Sequence, residues 1–118
     1  MIQLFKNGYK WKPENDLDLR GTGKTFQDAL NEAFKRTGYN KSDFTPVRWS
    51  KTADGKSIPV QYNGPNGATV NVDIGHKGSN SLGVPHVGYK VGTKGKTTGH
   101  ILVDKVPANR YPGQPMEK

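Results

Sequence analysis

The chain contains no cysteine. Disulfide frameworks, thiolate zinc sites and cysteine nucleophiles are therefore excluded. No apolar run approaches the length that spans a bilayer. The first residues, MIQLFKNGYKWKP, lack the apolar stretch of a secretory signal, so any secretion is expected to be driven by something outside this chain. Apolar residues are few, 31% of 118, beside 15 glycines and 8 prolines. This balance points to one domain with a modest core, short strands and many turns. Acidic residues are also few: 10 against 18 Lys and Arg, a formal net charge of +8. Such an excess implies a polyanionic partner. No amphipathic basic helix of the membrane-surface kind is present, so nucleic acid is the expected partner and a membrane is not.

What is present falls into two periods. Phe26, Ala29, Leu30, Ala33 and Phe34 repeat at helical spacing. Thr25 and Asp28 form a short capping box in front of them, Lys35 and Arg36 suit the last turn, and Gly38 suits the C-terminal cap. One amphipathic helix is predicted there. After it the period is two. Strands are predicted at Val47–Lys51, Ile58–Tyr62, Ala68–Ile74, His86–Val91 and Thr97–Asp104, with turns at Asn63–Gly67 and Gly92–Gly95. Residues 1–24 read as an irregular lead-in with a short strand at Ile2–Phe5, a linker or entry segment ahead of the domain. Residues 25–118 read as the functional domain, with an irregular tail from Pro107. "RGTGKT" at Arg20–Thr25 is a chance likeness to a phosphate loop, because the first glycine such a loop needs falls at Asp18. The expected fold is α+β: one helix covers one face of an antiparallel sheet of four to five strands and leaves the other face open.

Strand alternation populates that open face. With Val70, Val72 and Ile74 turned to the helix, Thr69, Asn71 and Asp73 face out. With Val87, Tyr89 and Val91 turned in, His86, Gly88 and Lys90 face out; Thr98, His100 and Leu102 follow. A hairpin closed over Gly92–Lys96 sets Val91 opposite Thr97, Lys90 opposite Thr98 and Gly88 opposite His100. His86 is then diagonal to His100, roughly 7–8 Å away between backbones, with a hollow at Gly88 between the imidazoles.

Two imidazoles beside an ammonium suit RNA cleavage by its own 2′-hydroxyl. That reaction needs a base for the hydroxyl proton, an acid for the leaving 5′-oxygen, and cations or donors for the charge gathering on phosphate. Histidine serves as base or acid near neutrality, and the reaction requires no metal or cofactor. His86 and His100 are the expected acid/base pair, with His76 in support from a Gly- and Ser-rich loop. Lys90 or Lys96 would neutralise phosphate, Thr97 or Thr98 would donate to it, and Asp73 would orient a histidine or pair across strands. Two other readings use the same residues. Asp73, His76, His86 and His100 are ligand types for a divalent ion in a metal-dependent DNase, although carboxylates are sparse. The charge and the open face also suit a nucleic-acid-binding module without catalysis.

Four stretches carry a family resemblance: "GKTFQDALNEAFKRTG", "YNGPNGATVNVDIGHKG", "PHVGYKVG" and "GHILVDKVPANRYPG". Together they resemble the C-terminal toxin domains of bacterial polymorphic toxin systems, closest to polymorphic toxin type 47, over about Thr25 to Pro112. The resemblance implies the tip of a large secreted effector, of the contact-dependent inhibition or Rhs kind, that acts in the cytoplasm of a target bacterium. It implies a ribonuclease acting on tRNA or rRNA, a fold like that of barnase and the tRNase colicins, and a cognate immunity protein of acidic character. Its motif positions fall on His76, His86, Tyr89, His100 and Arg110, which adds Tyr89 and Arg110 to the expected substrate contacts.

Overall fold

A computed structural model describes residues 10–74, 83–92 and 97–110. The elements are β1 (Leu17–Asp18), α1 (Phe26–Thr37), β2 (Thr45–Lys51), β3 (Ser57–Asn63), β4 (Thr69–Asp73), β5 (His86–Val91) and β6 (Thr97–Leu102). Single 3-10 turns sit at Lys41–Asp43 and Pro65–Gly67. The six strands form one sheet in the order β1-β6-β5-β4-β3-β2, antiparallel except for the parallel β1–β6 pair. The fold is thus one helix on one sheet, α+β, as expected.

The helix begins and ends where its sequence requires. The Thr25 hydroxyl accepts from the Asp28 N–H at 3.2 Å, and the Asp28 carboxylate accepts from the Thr25 N–H at 2.8 Å. Gly38 closes the helix at φ 85°, a left-handed conformation that glycine tolerates best. Ala29, Leu30, Ala33 and Phe34 are buried against Val60, Val70, Val72, Val87 and Ile101. Phe34 meets Phe44 and Tyr62 edge-on, with ring centroids 4.9 Å and 5.1 Å away.

Three features depart from the expectation. The described end of the lead-in joins the sheet: Leu17 pairs with Ile101 and Asp18 with Leu102, which adds the sixth strand. Ile2–Phe5 lies outside the described residues. Ile74 does not face the helix but is 49% exposed, because β4 ends at Asp73 and the Ile74 N–H donates to the Asn109 side chain. In the described part of the tail, residues 107–110, no helix or strand forms, yet it packs: Ala108 is buried and the Arg110 N–H donates to the Val72 carbonyl at 2.8 Å. The β3–β4 ladder stops at Gln61–Asn71, and the tail bonds to β4 at the next residue, Val72.

Candidate active site

The β5–β6 hairpin holds the expected register: Gly88 lies opposite His100, Lys90 opposite Thr98 and Val91 opposite Thr97. On the other side of β5 the structure sets Asp73 opposite His86. Side chains from β4, β5 and β6 therefore converge on the face away from the helix. Asn71, Asp73, His86, Gly88, Lys90, Thr98 and His100, joined by Arg110 from the tail, line a cleft of about 170 Å³. The imidazoles of His86 and His100 stand edge to face, centroids 5.2 Å apart at 75°. Gly88 does not leave a hollow: a Cβ there would sit 2.8 Å from Asn71 Oδ1, so the Asn71 amide occupies that space.

The two histidines differ in what they can do. His86 is fully buried. Its Nδ1 lies 2.8 Å from the Val84 carbonyl and its Nε2 lies 3.4 Å from Asp73 Oδ2. Asp73 is itself 1% exposed and is gripped by Arg110, Nε to Oδ1 at 3.1 Å and Nη2 to Oδ2 at 3.4 Å. Both ring nitrogens of His86 thus face protein oxygens inside a buried cluster rather than an open edge of the cleft. His100 is partly exposed, and its Nδ1 lies 3.1 Å from Asp16 Oδ1. A protonated Nδ1 donating to that carboxylate leaves Nε2, on the far edge of the ring, as the basic nitrogen.

Asp16 was invisible as a site residue in the sequence. It is buried at 4% exposure and satisfied by backbone donors: the N–H of His100 at 2.9 Å and the N–H of Lys12 at 2.8 Å. The turn Lys12–Asp16 that carries it is pinned from the helix side. The Tyr89 hydroxyl donates to the Asn15 carbonyl at 2.7 Å, and Arg36 Nη1 donates to the same oxygen at 3.3 Å. Gly99 makes this possible, because a side chain there would strike both the Tyr89 ring and the Asn15 carbonyl.

Not all expected site residues meet. Lys90 is exposed at the cleft and Thr98 is half-buried in its wall. Thr97, one residue away on the strand, is turned to the opposite face. Tyr89 is 3% exposed on the helix side, where it holds the Asn15 turn instead of facing a substrate. Arg110 and Asp73 are present but are engaged with each other. His76 and Lys96 lie outside the described residues. A larger groove of about 700 Å³ lies between Gly23–Phe26, Thr52–Asp54 and Val103–Pro107, but it holds no histidine and its lining is mainly apolar. The smaller cleft is the one that brings the two described histidines together.

Comparison with known proteins gives one family. No curated protein and no solved structure matches the chain significantly. The family model described as bacterial toxin 47 matches residues 6–110, a span that takes in the Asp16 turn, the histidine cleft and Arg110. The chain belongs to the bacterial toxin 47 family.

Proposed function

We propose that this toxin domain is a metal-independent endoribonuclease and that His100 is its proton-transfer group. The observation behind this reading is the His100–Asp16 pair at the edge of a polar cleft that also holds Lys90 and Thr98. Nε2 of His100 takes the proton of the RNA 2′-hydroxyl. The 2′-oxygen bonds to phosphorus as the bond to the 5′-oxygen breaks, and a 2′,3′-cyclic phosphate results. Asp16 stabilises the imidazolium that forms, while Lys90 and Thr98 meet the charge on the phosphate. The leaving oxygen takes a proton from the donors at the cleft, of which the Lys90 ammonium is the exposed one. His86 packs on the His100 ring and supports it from behind. It is therefore a positioning group, not the second half of the acid/base pair expected from the sequence. The remaining parts of the reading are tRNA or rRNA as target, action in the cytoplasm of a target bacterium, and an acidic immunity protein as partner. They are supported by the family and by the net charge of +8.

Incubation of the purified domain with total bacterial RNA, with and without EDTA, tests the reading on a denaturing gel. Discrete fragments that survive EDTA are expected from the wild type and not from His100→Ala. Intact RNA, or equal cleavage by His100→Ala, overturns it. Cleavage of plasmid DNA that EDTA stops would establish the metal-dependent DNase reading instead.

A further inference from the structure

The cleft is closed on two sides. The Lys12–Asp16 turn flanks it at β6, and Arg110 closes the end near Asp73. Among the described residues the surface continues in the other direction, across β4 and β3 to β2. The strand pairing shows what lies on it. Lys90 is followed by Thr69 and Asn63 on successive strands. Asn71, beside Gly88, is followed by Gln61. On β2 the register shifts on either side of Arg48, which stands opposite Gln61; beyond it Pro59 stands opposite Trp49, and Ser57 opposite Lys51. Lys51, Asn63 and Lys90 are exposed, and Trp49 and Gln61 half-buried.

From β6 to β2 the one carboxylate that the described strands place on this face is Asp73, which is buried and held by Arg110. The face thus combines an aromatic ring, three side-chain amides, of which Gln61 and Asn63 lie beyond the cleft, and two ammonium groups, with no exposed acid on its strands. That is the chemistry of a platform for unpaired nucleotides: a ring to stack a base, amides to bond base edges, and cations for the backbone. Duplexes offer no unstacked base to such a ring. At ordinary strand spacing Gln61 lies about 14 Å from His100 and Trp49 about 19 Å, within reach of nucleotides adjoining the one that reacts.

We propose that the outer face of β2–β3 is a subsite for single-stranded RNA. Trp49 stacks a base there, Gln61 and Asn63 read base edges, and Lys51 and Lys90 hold phosphates. The choice of RNA rests on the cleavage reading above; the preference for unpaired strands rests on the face itself.

Fluorescence anisotropy with a labelled 2′-O-methyl oligoribonucleotide, which lacks the attacking hydroxyl, measures binding apart from cleavage. Trp49→Ala is expected to weaken binding about 10- to 100-fold, the range for loss of one stacked base. Lys51→Glu, at an exposed position that leaves folding intact, is expected to weaken it and to flatten its salt dependence. Lys35→Glu makes the same charge change on the exposed side of α1 and is expected to stay within about threefold of wild type. A duplex of the same sequence is expected to bind more weakly than the single strand. The subsite is overturned if Trp49→Ala and Lys51→Glu bind as wild type does, if Lys35→Glu weakens binding as much as Lys51→Glu, or if duplex and single strand bind alike. Binding with this pattern but no cleavage on the gel would retain the subsite and remove the ribonuclease reading. Cleavage with unaltered binding in both variants would do the reverse.

Discussion

In the proposed site Asp16 acts through His100 without lining the cleft itself. Asp16→Asn keeps the shape and the backbone hydrogen bonds but removes the charge that steadies a protonated His100. Cleavage of a defined RNA should then show kcat lowered about 100-fold or more, with KM nearly unchanged, since general-base catalysis contributes on this scale. An equal rise in KM would mean that Asp16 serves binding instead. Arg110 has a different weight. Arg110→Ala leaves Asp73 buried without its cation, and loss of one member of a buried pair costs about 3 kcal/mol. Denaturant midpoints read this directly, and Arg110→Lys should recover part of it. The residues found by reading along the chain were those on a regular strand: His86, Lys90, Thr98 and His100 follow from alternation and turn length. Asp16 does not, because 84 positions separate it from His100 and nothing in the spacing of a turn points to a distant imidazole.

Elements were legible in proportion to their regularity. Helix α1 announces both of its ends, and its cap has a measurable signature. The Asp28 carboxylate is held below its ordinary range, chiefly by the hydrogen bond from the Thr25 N–H and then by the Thr25 hydroxyl. Its folded pKa is depressed, so its contribution to stability is complete above the unfolded value near ~3.9 and disappears as pH falls through the lower folded value. Asp28→Asn should therefore be less stable than wild type at neutral pH, and the gap should close in the acid range. Thr25→Ala should cost about 1 kcal/mol at pH 7 in thermal or denaturant unfolding. The strand β1 was not legible, since two residues give no periodicity and its partner β6 lies far along the sequence. The open face was legible in composition but not in depth. Alternation puts Asp73 and His86 on it but does not show that both are buried there, with Arg110 reaching Asp73 from the tail.

At the scale of the whole molecule, the charge balance pointed to a polyanion, and the proposed site and subsite use that charge on one face of the sheet. Lys51 and Lys90 border the polar face, while the acids at the cleft are tied to His100, His86 and Arg110. Two of these ties span the chain: Asp16 reaches His100, and Asp73 reaches Arg110. A cut in the turn between β2 and β3 would put Asp16 on one fragment and His100, Asp73 and Arg110 on the other. Neither fragment then contains a complete site, and a bacterium could carry either gene alone without harm. Brought together by fused dimerising tags, the two should reassemble the sheet and kill, so that growth arrest reports their meeting.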